Sequence, residues 1–297
     1  MGLNEERKGE VFLFFEALLW SFFPIIVILS LNSLPVIFSI ASTYLIASLF
    51  FIGIMTYKKL WHELLDLEAL KYTLGATFFI GILFYGFFFF GLKYTSAGNA
   101  GIISLMEVFF AFVILGLILK KEHIGASNLF GAFLMVLGAV IILYRGSFNI
   151  NLGDLIILIG TAFPPIGNYL MQKARKKISS VSILFVRNAF CCVFMFIVGF
   201  AFVKTPSVVQ WKLALPFLII NGILLFGLSK ILWIEAIHRI PITRAISLNT
   251  GTSALTLIFA FFILNEIPSI WQFLGLVPII IGALMILRSK IVKKEAY

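Results

Sequence analysis

The chain has 297 residues, of which 61% are hydrophobic and 12% charged, with a formal net charge of +10. Soluble domains carry about 45–50% apolar and about 25% charged residues, so a water-soluble globule is excluded. Lys and Arg lie in short clusters between apolar runs, which is the distribution of a membrane-topology signal and not of a nucleic-acid-binding face. Cys191 and Cys192 are adjacent in one apolar run, so they staple nothing and leave the redox compartment unread.

A membrane-spanning helix needs about 20 mostly apolar residues. Ten such spans are expected: 11–31, 35–56, 72–92, 98–119, 125–144, 154–172, 179–203, 213–236, 242–264 and 270–288. The first follows Arg7-Lys8 and continues to about Leu31 without a small-residue cleavage site, which reads as a retained span and not a signal peptide. The longest interruption, Tyr57–Lys71, places Leu60, Trp61, Leu64 and Leu65 at helical spacing beside charges, and predicts an interfacial helix on the bilayer. Pro164-Pro165 should loosen the sixth span.

Starting the chain in the cytoplasm places seventeen basic residues inside: Arg7, Lys8, Lys58, Lys59, Lys71, Lys120, Lys121, Lys173, Arg175, Lys176, Lys177, Arg239, Arg244, Arg288, Lys290, Lys293 and Lys294. Four fall outside: Lys93, Arg145, Lys204 and Lys212. The bias predicts a multi-pass membrane protein with both termini cytoplasmic.

The stretch Leu92–Arg145 returns from Ala236. Ala100 matches Ala245, Glu122 matches Glu266, Gly131 matches Gly275, and Gly138-Ala139 matches Gly282-Ala283. Duplication at this length marks a repeated membrane unit. The repeats are placed at 9–145 and 153–289. Five spans per repeat is odd, so the halves lie upside down relative to each other about an axis in the membrane plane. The expected fold is therefore all-α and integral to the membrane, with ten transmembrane helices as two inverted five-helix repeats.

These residues resemble the EamA unit of the drug/metabolite transporter superfamily. That unit ends one helix in Ala-Leu, continues with small residues and a Leu-Glu-Pro, places Glu at a turn, and spaces Gly along its last helix. Here the first repeat offers Gly91-Leu92, Ser96-Ala97, Met106-Glu107-Val108, Glu122, Gly131 and Gly138. The second offers Ala236-Ile237, Pro241-Ile242, Ser253, Glu266, Gln272, Gly275 and Gly282. Val108 and Ser253 stand where proline is common. The resemblance implies a secondary carrier of amino acids or related metabolites, commonly an exporter, in a prokaryotic plasma membrane. It also implies a cavity enclosed by spans 1–4 and 6–9, with spans 5 and 10 at the periphery.

Charge inside a span costs about 2.5–3.5 kcal/mol at a helix centre, and five residues qualify: Glu16, Glu107, Arg187, Lys230 and Glu235. Glu235 reads as a surface residue in cytoplasmic water. Glu16 and Lys230 either snorkel or face a cavity. Glu107 is too deep for that and must be paired, protonated or cavity-facing. Arg187 cannot shed its charge, so it takes a carboxylate (Glu107 or Glu16) or a ligand. The expectation favoured here pairs Glu107 with Arg187 or Lys230. Trp20 shares a helix face with Glu16 and forms an aromatic wall. Tyr85 falls opposite Lys230 in the repeat alignment; Asn168, after the two prolines, and Asn249 are polar candidates. Asn221, nine residues from Lys230, points the other way on an unbroken helix and is assigned to an interhelical hydrogen bond.

The eight candidate substrate-binding residues are therefore Glu16, Trp20, Tyr85, Glu107, Asn168, Arg187, Lys230 and Asn249. The expected partners are a small-molecule substrate and membrane lipid, with protons as a candidate coupling ion and no nucleic acid; no cofactor is expected. The alternatives are a non-transporting membrane scaffold or receptor, and an intramembrane enzyme. The enzyme reading is weakened by the positions of His62, His123 and His238, all at loops or helix ends.

Overall fold

A computed structural model of the chain describes residues 4–119, 126–144 and 151–288, and every regular element among them is helical. Glu122, with Lys120, Lys121, His123, Arg145, Lys290, Lys293 and Lys294, lies outside the described residues. Among the described residues nine helices are long and apolar enough to cross a membrane: α1 (Glu5–Leu31), α2 (Val36–Tyr57), α3 (Leu67–Leu92), α4 (Ala97–Gly116), α5 (Ser127–Tyr144), α6 (Leu152–Arg175), α7 (Ser180–Phe202), α8 (Val208–Arg239) and α9 (Ile242–Leu264). A shorter apolar helix, α10 (Ile270–Ile286), is the tenth.

Several helices begin earlier than hydropathy predicts, and caps explain two of them. Asp66 accepts a hydrogen bond from the Ala69 amide at 2.9 Å, so α3 starts in polar sequence. Ser207 and Gln210 form a reciprocal capping box, which carries α8 back past Lys212. The expected interfacial helix is instead a six-residue 3-10 helix, Leu60–Leu65, entered through Lys59 in the left-handed region at φ 54°. Its Glu63 accepts from the Ser179 amide at 2.8 Å and the Ser179 hydroxyl at 2.7 Å, tying the turn to the start of α7. Burial pushes the Glu63 carboxyl up, but hydrogen bonds from Ser182 and Ser179 outweigh it and hold the group below the ordinary carboxylate value.

Packing shows how the halves relate. Helix α3 lies against α6, and α8 against α1; α2 meets α7, α4 meets α9, and α5 meets α10. Exchanging the halves turns the first pair into the second and leaves the other three unchanged. The α5–α10 crossing gives the sense of the relation. A Cβ on Gly131 would stand 2.6 Å from the Gly282 carbonyl oxygen, and one on Gly138 would stand 2.5 Å from that of Gly275. Gly131 is equivalent to Gly275 and Gly138 to Gly282, so each glycine meets the equivalent of the other. That crosswise pairing requires antiparallel, inverted halves.

The helices that enclose the middle of the bundle are interrupted in matching places. Helix α1 breaks between Trp20 and Phe23, and α6 between Gly160 and Pro164. At both breaks a hydroxyl donates to the carbonyl three residues back: Ser21 to Leu18 at 2.7 Å and Thr161 to Leu158 at 2.6 Å. Helix α4 is interrupted at Leu105, and α9 at Asn249 and Thr250. Helices α3 and α8 widen into π-helical turns over Thr77–Phe84 and Ile220–Ser229. In lipid-depth structure such backbone persists only where neighbours satisfy it. Here Tyr44 donates to the Gly81 carbonyl at 2.5 Å, Ser253 to Gly101 at 2.6 Å, and Thr256 to Ser21 at 3.0 Å.

Candidate functional site

Six irregular helices converge on one small cavity of about 60 Å³. Since one buried water needs about 10–15 Å³ measured this way, the space suits a solute of only a few heavy atoms in this conformation. All eight predicted residues line it: Glu16, Trp20, Tyr85, Glu107, Asn168, Arg187, Lys230 and Asn249. Most sit at the interruptions. Trp20 ends the first half of α1, Tyr85 and Lys230 follow the π-helical turns, Glu107 lies two residues past Leu105, and Asn249 occupies the break in α9. Sequence reasoning missed Ile80, Phe84, Pro164, Met171 and Trp233. Trp233 carried a usable signal, because it lies three residues from Lys230 on the same helix face.

The four charges divide into a closed pair and an open pair. Lys230 Nζ donates to Glu16 Oε1 at 2.7 Å, and Ser229 Oγ donates to the same oxygen at 3.2 Å. Asn249 Nδ2 donates to Glu16 Oε2 at 2.9 Å. Lys230 Nζ also stands 3.2 Å from the centroid of the Trp20 ring, a cation–π contact that completes its coordination. Glu16 and Lys230 are both buried and satisfied, so neither snorkels, and together they tie α1, α8 and α9.

Glu107 is arranged differently from the expectation. Its partner is Asn168, whose Nδ2 donates to Glu107 Oε1 at 3.1 Å, while Asn168 Oδ1 accepts from Trp233 Nε1 at 2.9 Å. The indole N–H thus fixes the amide so that its NH₂ faces the carboxylate. Among the described residues no cation lies within salt-bridge distance of Glu107. The anticipated pairing with Arg187 or Lys230 is therefore corrected: Lys230 is drawn to Glu16, which reaches it from α1 at a matching depth. Arg187 is 1% exposed, and its Nε and Nη2 have no hydrogen-bond partner in the protein. Its guanidinium carbon stands 5.7 Å from the Tyr85 ring centroid.

Two further readings are adjusted. Glu235 is not simply solvated: Arg175 grips it through Nε at 2.8 Å and Nη2 at 3.2 Å, and Arg239 donates to it at 2.6 Å. Asn221 does donate to Thr43 Oγ1 on α2, at 3.2 Å. The phase argument for it assumed an α-helix, however, and that stretch of α8 is π-helical, with a different angular step.

Contacts cross the bundle on both sides of the cavity. Toward the ends of α1 and α3 at Leu31 and Leu92, aromatic rings fill the bundle: Trp20 stacks on Phe23 at 4.0 Å, Tyr85 lies 4.5 Å from Phe226, and Phe23 lies 5.2 Å from Phe88. Beyond them Asn99 donates to Asp154 at 3.2 Å, Gln272 donates to Asn99 at 2.7 Å, and Thr95 also bonds Asp154. Toward the opposite face Arg244 bonds Glu6 and, at 2.8 Å, Glu10, while Arg239 bridges Glu5 and Glu235.

Inverted helical repeats around a polar site near mid-bundle recur in membrane transporter folds. The EamA-like transporter family model matches residues 7–144 and again 151–288, and the chain belongs to that family. Two curated relatives are each named an uncharacterized transporter. One, from Synechocystis sp., is 23% identical over 216 residues, 67% of this chain and 60% of that protein. The other, from Methanothermobacter thermautotrophicus, is 27% identical over 206 residues, 66% of this chain and 58% of that protein. The match thus spans about three-fifths of the length of each relative. A protein of known crystal structure shares the fold with a TM-score of 0.69 at 16% identity, covering 94% of this chain and 96% of the other.

Proposed function

We propose that the protein is a secondary carrier that moves small polar metabolites, amino acids or related compounds, across the cell membrane by alternating access. The observation that carries this reading is the convergence of Glu16, Trp20, Tyr85, Glu107, Asn168, Arg187, Lys230 and Asn249 on one cavity. A scaffold has no use for a buried, charged space enclosed by interrupted helices, because each charge there lowers stability. The repeats are assigned to 9–145 and 153–289, with both termini cytoplasmic on the basic-residue bias. Export is the direction that the family resemblance implies, and protons remain the candidate coupling ion.

Counterflow tests the reading. Liposomes containing the purified protein and loaded with a mixture of small amino acids should accumulate labelled glycine, alanine or serine transiently, and empty liposomes should not. Absence of counterflow with every small amino acid, by protein that binds one of them, would overturn the carrier reading.

A further inference from the structure

We propose that Arg187 is the receptor for a carboxylate group on the solute, an inference that rests on the carrier reading above and narrows it to acids and zwitterions. Arginine stays charged under all ordinary conditions, and a buried guanidinium needs acceptors for its N–H groups. Arg187 is 1% exposed and lines the cavity, yet its Nε and Nη2 find no acceptor in the protein. The nearby carboxylates do not serve it. Glu16 is occupied by Lys230, Ser229 and Asn249, and Glu107 is engaged by Asn168 and makes no ion pair with Arg187.

The identity of the two unpartnered atoms points to the ligand chemistry. Nε and Nη2 form the side edge of the guanidinium, which presents two parallel N–H groups matched to the two oxygens of one carboxylate. This protein uses the same edge elsewhere: Arg175 holds Glu235 through Nε at 2.8 Å and Nη2 at 3.2 Å. A small cavity of about 60 Å³ favours a compact carboxylate over a larger anion. Both atoms are shielded from water in this conformation. The solute therefore reaches them as side chains around Arg187 give way, and binding and closure become one event. Glu107, an acidic residue lining the same cavity, is placed to receive a cationic group when the solute carries one.

The position of Arg187 separates this role from a structural one. A guanidinium without acceptors destabilises the empty protein, so its replacement should not cost stability. Purified protein would be titrated with glycine, alanine and propionate, and with ethylamine as the carboxyl-free match, reading the fluorescence of Trp20 and Trp233 and the apparent melting temperature. At least one carboxylate should bind and ethylamine should not. Arg187→Met should leave the melting temperature of the ligand-free protein unchanged or higher, and should weaken carboxylate binding at least about tenfold. Arg187→Lys should retain part of the binding, since it keeps charge without the fork. Equal binding of ethylamine and alanine, no carboxylate binding, or undiminished binding by both variants overturns the proposal. So does a large fall in the stability of ligand-free Arg187→Met. Counterflow of non-acidic solutes by Arg187→Met would remove the anchor and leave the carrier reading standing; carboxylate binding without any counterflow would do the reverse.

Discussion

At the scale of single residues, the Glu16–Lys230 pair is the point where charge becomes fold. Each partner is buried, and the pair is hydrogen-bonded by Ser229 and Asn249 and capped by the Trp20 ring. Breaking a buried pair by removing one member leaves an uncompensated charge, which typically costs about 3–5 kcal/mol. Glu16→Gln and Lys230→Met should each lower stability by about that amount, and the double variant should recover part of the loss. Thermal unfolding of the three purified variants checks this; additive losses would count against a structural pair. The residues themselves were legible in the sequence, because a charge in an apolar span is conspicuous. Which carboxylate meets which cation was not. Glu16, Arg187 and Lys230 lie at similar depths, and depth along a helix says nothing about the rotation of one helix against another. Glu107 consequently paired with Asn168 where a cation was expected.

At the scale of helices, the ten spans followed from hydropathy, whereas their interruptions did so only in part. Pro164-Pro165 announced the break in α6, and Pro24 in α1 occupies the matching place just after its own break. The interruptions at Leu105 and at Asn249–Thr250 have no proline, and the π-helical turn of α3 receives a tertiary hydrogen bond from Tyr44 that no local pattern encodes. Helices α5 and α10 stand apart from this, since their meeting is a matter of small residues. Backbones approach because Gly131, Gly138, Gly275 and Gly282 lack a side chain at the crossing. Gly282→Leu should force the two helices apart and lower the apparent melting temperature by several degrees, an effect of roughly 1–3 kcal/mol for overpacking. Phe133→Leu on the exposed side of α5 should change it little. Equal melting temperatures for the two variants would remove this crossing from the account of how the halves are held.

At the scale of the whole molecule, inversion makes the two closures counterparts of each other. Asn99 in α4 and Arg244 in α9 are equivalent positions, displaced by the same interval as Ala100 and Ala245. Asn99 joins α4 to Asp154 at the start of α6, and Arg244 joins α9 to Glu6 and Glu10 near the start of α1. The contacts correspond, but their chemistry does not. Asn99 and Asp154 are buried beneath further bonds from Thr95 and Gln272, whereas Arg244 and Glu10 keep about a third or more of their side-chain surface in water, at 33% and 41%. Exposed ion pairs contribute roughly 0–1 kcal/mol and weaken in salt, while a buried amide–carboxylate contact does not feel the Debye screening that shortens to about 3 Å at 1 M. The solute-free protein should therefore open more readily at the Arg244 face, which is cytoplasmic in the proposed topology. A cysteine placed at Met171 on the cavity wall, in protein with Cys191 and Cys192 replaced by serine, reports which face admits a small water-soluble thiol reagent. Reaction should be faster from the Arg244 face, should rise in 1 M salt or with Arg244→Gln, and should fall when a bound solute closes the cavity. Faster reaction from the Asp154 face, unaffected by salt, would show that the buried contact is the weaker closure and would reverse this assignment of gates.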